Sequence, residues 1–321
     1  MATADTNNDE LHVVLGASGG VGGAVVRELV ERRRRVRGVT RSGRADLPAG
    51  VELGAGDASH LDDARRVCSG AAVVYFCANP PYTKWAKAFP SLLAGAIEGA
   101  SAAGAKLVVA DNLYVYAPTS QPLTEDLPWA PVTRKGAVRK AMDEMVLAAH
   151  QSGKVRVVIG RASDYYGPGG TNSAVGERFF GQLLGQKAVQ WIGKLDVPHA
   201  LAYLGDFARG LVVLGERSEA LGQAWHVPHA EALTARQFIT LAAQGAGVAP
   251  KMTRVSPLLL RTLGAYSPVI REVVEMAYEF EEPYLVDGSR FLRAFGFTPT
   301  PHREALQETI TWYRGHLGKN R

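Results

Sequence analysis

One short stretch constrains this chain more than any other: Gly16-Ala17-Ser18-Gly19-Gly20-Val21-Gly22. It follows directly on the apolar run 11–15 and opens a helical pattern at 21–34, where Val25, Val26, Leu29 and Val30 share one face. A glycine-rich turn between a buried strand and a helix suits one kind of ligand. Gly16 permits the tight turn out of the strand, Gly19 lets the backbone approach a pyrophosphate, and Gly22 lets the helix pack close to the sheet. The pyrophosphate then rests on the free N–H groups and positive dipole of the helix N-terminus, around Ser18, Gly20 and Val21. The alternative is a glycine-rich turn with no ligand.

The strand-helix pattern repeats beyond the turn. Strands are expected at 36–40, 51–53, 72–77, 107–110 and 155–159, and helices at 61–68, 89–103 and 137–150. Such alternation means parallel βαβ units. The stronger strands are apolar throughout, as when helices cover both faces of a sheet. The expected fold is therefore α/β, a Rossmann-type doubly wound parallel sheet with a smaller, mainly helical C-terminal lobe. Residues 1–165 form the nucleotide domain and 166–321 mostly the substrate lobe. The breaker cluster Gly167-Pro168-Gly169-Gly170 marks the change. Strand candidates at 189–192 and 224–227 supply one or two strands that return to the sheet.

Composition narrows the ligand. A net charge of +5 suits an anionic small molecule but is too diffuse for nucleic acid. The run Arg32-Arg33-Arg34-Arg35 with Arg37 has no interleaved aromatics and reads as a solvated helix end. Cys68 and Cys77 suggest no disulfide framework, which points to a reducing, cytoplasmic setting. No apolar stretch reaches the roughly 20 residues a membrane span needs. No His, Cys and carboxylate spacing suggests a metal site.

The end of the second strand selects the nucleotide. An acid there would accept the ribose hydroxyls of NAD(H). Here Thr40 occupies that place and Arg41 follows. A guanidinium matches a phosphate bidentately, so NADP(H) is favoured over NAD(H), with Arg41 as a plain surface arginine the alternative.

The glycines are spaced three and three, a spacing that resembles the short-chain dehydrogenase/reductase superfamily, especially its extended, epimerase-like and atypical branches. The resemblance runs through essentially the whole chain. It implies that Asp57 approaches the adenine, although such an acid also serves as a turn or cap. It also implies that Ala78-Asn79-Pro80 lines the cofactor ribose, and that Arg161 to Gly169 lines the substrate side. Residues 291–299 resemble the family's closing strand, with a helix at 303–315.

The family's catalytic group is a Ser or Thr after the fifth strand and a Tyr-x-x-x-Lys on the next helix. Counting back from Val115 in Asp111-Asn112-Leu113-Tyr114-Val115-Tyr116 places Asn112 at the serine position. Lys140 then matches the lysine, Glu144 an acid one turn later, and Gly136 stands where the tyrosine would be. On this register Lys140 holds the nicotinamide ribose and handles a proton, Asn112 orients a carbonyl, and Tyr114 replaces the missing donor. Alternatively, Lys140 makes only a helix-surface pair with Glu144.

These residues imply an enzyme, an NADP(H)-dependent oxidoreductase that reduces a small organic molecule by a non-standard mechanism. Two alternatives stand beside it: a non-catalytic NADP(H) sensor or scaffold, and a redox-neutral isomerase or lyase on the same fold. By fold analogy a homodimer is expected through the helices beside the catalytic one.

Overall fold

Val13, Val14 and Leu15 are almost wholly buried because their strand lies inside a parallel sheet covered on both faces. The computed structural model describes residues 9–319. Its main sheet contains β1 (Leu11–Leu15), β2 (Arg35–Thr40), β3 (Glu52–Ala55), β4 (Ala71–Phe76), β5 (Lys106–Asp111), β6 (Arg156–Arg161) and a seventh strand, Ala224–His226. Across the sheet the order is seventh strand, β6, β5, β4, β1, β2, β3, with every neighbouring pair parallel. The chain steps from β1 to β2 on one side and to β4 on the other. Loops at the carboxyl ends of β1 and β4 therefore diverge and leave a crevice, the usual ligand position in open α/β sheets.

Helices α1 (Gly20–Glu31) and α6 (Leu204–Glu216) cover one face, packing Val25, Val26 and Leu211 against Val14. Helices α2 (Leu61–Cys68), α3 (Trp85–Ala102) and α4 (Arg134–Gln151) cover the other, where Leu93 and Val146 meet Leu15 and Phe76. The helix α4 begins three residues before the expected position because Thr133 caps it, accepting from the Gly136 N–H at 2.9 Å.

A third apolar core belongs to the C-terminal lobe. It joins α5 (Glu177–Leu184), α7 (Ala235–Ala246) and α11 (His302–Lys319) around Phe180, Phe238, Ile310 and Tyr313. A helical hairpin, α8 (Pro257–Tyr266) and α9 (Pro268–Met276), extends from this lobe. Among the described residues no helix is long and apolar enough to cross a membrane.

One expectation is narrowed and one is corrected. Of the two later strand candidates only Ala224–His226 rejoins the main sheet, whereas Val189–Ile192 pairs with Met252–Val255 inside the lobe. The segment expected as a closing strand is instead helix α10 (Ser289–Phe295). Phe291 and Phe295 are one helical turn apart and pack on each other and on Trp225, while Gly296 ends the helix at φ 64°.

Candidate cofactor and active site

The glycine turn is built as a cradle. Gly16 sits at φ +88°, and a Cβ there would lie 2.7 Å from the Ala78 Cα, so the turn rests directly on the loop after β4. A Cβ on Gly22 would lie 2.2 Å from the Gly16 carbonyl oxygen, which leaves no space for a side chain between α1 and the turn. At Gly19 the nearest atom would be 3.4 Å away, an ordinary contact. Gly19 is also the N-cap of α1. No side chain caps that end and no acid occupies the first turn. The first-turn amides and the helix dipole are therefore available to an anion, and a pyrophosphate fits them. On the far side the Gly167–Gly170 loop closes in, its Gly169 carbonyl 3.0 Å from where a Gly20 Cβ would be.

At the end of β2, Thr40 Oγ1 is tied to the backbone of Arg44, accepting from its N–H at 3.2 Å. Arg41 is exposed, and among the described residues no hydrogen bond or ion pair engages it. Its charge reaches Asp57 across the mouth of the crevice. Asp57 accepts from the Ser59 N–H at 2.9 Å and the Ser59 hydroxyl at 2.7 Å. These bonds, the backbone one foremost, hold its carboxyl below the usual range. Asp57 thus makes a turn of its own with Ser59. Ala78 backs onto Gly16, and the Pro80 carbonyl accepts from Trp85 Nε1 at 2.9 Å, so Ala78-Asn79-Pro80 is anchored at both ends.

The segment matched to the family's catalytic group is arranged differently from the sequence register. Lys140 lies on the outer face of α4, its side chain 37% exposed and 3.9 Å from Glu144. Gly136 could not carry a tyrosine, because a Cβ would lie 2.3 Å from the Tyr114 carbonyl oxygen. The polar residues that α4 turns inward are Lys135, Arg139 and Asp143, one helical turn apart. The buried Lys135 ammonium meets the Glu272 and Glu275 carboxylates of α9, the latter at 3.1 Å, and lies 5.1 Å from the Tyr82 ring centroid. Arg139 pairs with Asp111 at 3.0 Å and stacks over Trp85 and Phe89.

Asn112 and Tyr114 do come together at the carboxyl edge. Asn112 Oδ1 accepts from the Tyr114 N–H at 3.1 Å, which leaves its NH₂ for another acceptor. The Tyr114 hydroxyl lies 3.0 Å from the hydroxyl of Tyr82, a residue from the turn before α3. Burial pushes both phenols up, that of Tyr82 to about 12. Behind them is a buried ionic network. Arg161 bonds Asp143, donates to Tyr116 Oη at 2.6 Å and lies 3.5 Å from Asp111, while Tyr116 Oη is 2.9 Å from His226 Nε2. Burial and then the Asp111 charge raise the Asp143 carboxyl above the usual carboxylate range. Tyr116 is thus part of the scaffold, not of the cleft chemistry.

The lobe forms the opposite wall. His199 Nε2 lies 3.0 Å from Asp164 Oδ2, and its ring stacks between Phe280 and Tyr284 at 4.7 and 5.0 Å. Between this wall and the loop after β5 is a cavity of about 680 Å³, lined by Leu113, Tyr116, Val274, Tyr278 and Tyr284 among others. Four residues absent from the sequence-derived site also line this region: Tyr82, Lys135, Arg139 and Glu279, the last in the cavity wall. For the two on α4 a signal was present, since Lys135, Arg139 and Asp143 recur every fourth residue.

Comparisons with known proteins agree with this architecture. The chain is 27% identical over 195 residues to a dTDP-glucose 4,6-dehydratase of Streptomyces griseus, a match covering 60% of this chain and 53% of that protein. A second such dehydratase, from Streptomyces niveus, is 26% identical over 194 residues, 59% of this chain and 51% of its own. The chain thus matches about half the length of these curated relatives. Among solved structures, UDP-glucuronic acid 4-epimerase from Bacillus cereus in complex with NAD superposes with TM-score 0.78 at 16% identity, covering 95% of this chain and 99% of that one. UDP-glucose 4-epimerase of Thermus thermophilus, also with NAD, gives TM-score 0.76 at 18% identity, covering 95% and 99%. At such identities the likeness shows a shared fold. The model of the NAD dependent epimerase/dehydratase family matches residues 12–227, two thirds of the chain, and the protein belongs to that family.

Proposed function

We propose that this protein is an NADP(H)-binding enzyme that transforms a nucleotide-linked sugar without net redox change, as an isomerase or lyase, with Lys135 as its proton-handling residue. The observation that carries this reading is the inward face of α4. Lys135 precedes Arg139 by four residues, the spacing of the family's Tyr-x-x-x-Lys, and both side chains are buried toward the carboxyl edge. Names of the relatives, 4-epimerases and 4,6-dehydratases, favour a redox-neutral reaction over the net reduction expected from sequence.

A bound nicotinamide would accept a hydride from the substrate and return it. Protein groups would handle the rest. Lys135 would take a proton from a substrate hydroxyl as it gives one of its own to Glu275, 3.1 Å away, and the reverse exchange would restore both groups. Asn112 offers its NH₂ to a substrate oxygen, and the Tyr82–Tyr114 pair supplies a second hydroxyl donor beside it. Arg139 is neutralised by Asp111 and acts as a positioning residue for the segment after β5. The absence of an acid at the end of β2 and the unpaired Arg41 support NADP(H) over NAD(H).

The test is incubation with NADP⁺ or NAD⁺ and a UDP- or dTDP-hexose, read by proton NMR for product and at 340 nm for reduced cofactor. Conversion with no stoichiometric accumulation of reduced cofactor supports the proposal. Stoichiometric oxidation of NADPH with an organic acceptor would replace it with the reductase reading. Tight nucleotide binding with no conversion of any nucleotide sugar or acceptor would favour the non-catalytic binder.

A further inference from the structure

We propose that the cavity between the loop after β5 and the segment following α9 binds the ammonium group of an amine-bearing ligand through Glu279. This rests on the substrate-side reading above and specifies its chemistry. The cavity adjoins the reactive edge, since Glu275 both lines it and bonds Lys135. Its walls combine Leu113 and Val274 with the rings of Tyr116, Tyr278 and Tyr284, an apolar and aromatic surround that accommodates a cation.

The carboxylates around it are not equivalent. Glu275 is occupied by Lys135, Glu281 by Arg254 at 3.2 Å and Glu282 by Lys194 at 2.8 Å. Glu279 differs from all three. It is only 2% exposed, no cation among the described residues pairs with it, and its Oε1 has no hydrogen-bond partner. The Tyr284 hydroxyl hydrogen-bonds its carboxyl. A buried carboxyl oxygen without a partner is costly to keep, and a ligand donor removes the cost. The groups facing it are Asp164 from the loop after β6 and the phenols Tyr82, Tyr114, Tyr278 and Tyr284, and its backbone carbonyl lies 3.2 Å from His199 Nδ1. None brings a positive charge, and His199 is already engaged by Asp164. Burial, followed by the Asp164 charge, pushes the Glu279 carboxyl well above the usual carboxylate range. An arriving ammonium pairs with the carboxylate form and so opposes that shift. Arg261, exposed at the rim, disfavours a second positive group on the outer part of the ligand.

The test uses the full chain without cofactor and two probes of equal shape, cyclohexylammonium and cyclohexanol, in calorimetric titrations. The expected result is at least roughly tenfold tighter binding of the ammonium, the value of one buried charge-assisted hydrogen bond. Glu279→Gln should erase the preference, and Glu281→Gln should keep it. Equal affinities, binding of neither probe, or a preference surviving in Glu279→Gln would each overturn the proposal. The wild-type measurements decide the matter even if Glu279→Gln does not fold. A separate NADP⁺ titration and nucleotide-sugar assay test the underlying function. Success there without ammonium preference sinks only the amine assignment, and failure there with the preference intact sinks only the catalytic reading.

Discussion

Adding one methyl group at Gly19 or at Gly22 should have opposite consequences. At Gly22 the new Cβ would start 2.2 Å from the Gly16 carbonyl, well inside the 3.4 Å where ordinary contact begins. The obstacle is backbone, so α1 must move as a unit away from β1. Such overpacking costs about 1–3 kcal/mol, and in a protein of this size each kcal/mol lowers Tm by roughly 2–4 °C. Gly22→Ala should therefore unfold several degrees early. At Gly19 the backbone is extended, φ −80° and ψ 166°, and the nearest atom is in ordinary contact. Alanine fits, and the reduced freedom of the unfolded chain, about 0.4–1 kcal/mol, roughly offsets the weaker N-cap. Gly19→Ala should thus unfold within about 2 °C of wild type, yet its methyl stands at the uncapped helix end where the pyrophosphate must come close. NADP⁺ affinity should fall at least tenfold, about 1.4 kcal/mol. Differential scanning calorimetry and NADP⁺ titration on both variants decide it. Wild-type affinity in a stable Gly19→Ala protein would refute the assignment of this turn to phosphate, and a fully stable Gly22→Ala protein would refute the close approach.

Three further outcomes are expected. Lys135→Met should reduce turnover by roughly 100-fold or more while Lys140→Met stays within about twofold, because general acid–base groups contribute about 10²–10⁴; steady-state rates would reveal the reverse if the outer lysine were the reactive one. Arg41→Ala should weaken NADP⁺ about ten- to a hundredfold and leave NAD⁺ nearly unchanged, since only the former loses a charge-assisted contact of roughly 1.5–3 kcal/mol. His12 and His226 are held neutral by burial, at about 4 and about 3. Their ordinary value is 6.5, so the unfolded chain binds more protons between those values. Their stabilising contribution is complete above pH 6.5 and is lost as pH falls toward 4 and 3. Urea midpoints should drop across that window, and His226→Gln should show a shallower drop; a flat profile from pH 7 to 4.5 would rule this out.

Most of the fold was legible without coordinates because its signals are local. Each buried strand is a short apolar run, and the helix Leu61–Cys68 was bounded correctly by its own pattern and flanking turns. The glycine turn was legible for the same reason. Its strand, turn and helix are consecutive in the chain, and backbone geometry alone dictates the glycines. Tertiary structure was needed where a local pattern admits two answers. Phe291 and Phe295 sit in a run that also suits a strand, and packing on Trp225 made it a helix.

The active-site register is the sharpest case. A helix turns about 100° per residue, so a one-residue shift along α4 exchanges an inward side chain for an outward one. Counting from a motif cannot resolve that phase, and Gly136, Lys140 and Glu144 satisfied the count as well as Lys135, Arg139 and Asp143. Contacts from distant elements resolved it. The Tyr114 carbonyl excludes any side chain at 136, Asp111 holds Arg139, Arg161 holds Asp143, and α9 brings two glutamates onto Lys135. Likewise Glu279 was invisible in the sequence, because its burial, its lack of a cation and its nearness to Asp164 arise only when the lobe folds over the sheet edge. The sequence by itself determined the glycine cradle and the sheet that presents it. Which side chains face that cradle was decided by long-range packing, since helix phase and buried charge depend on neighbours that the chain brings together from more than a hundred residues away.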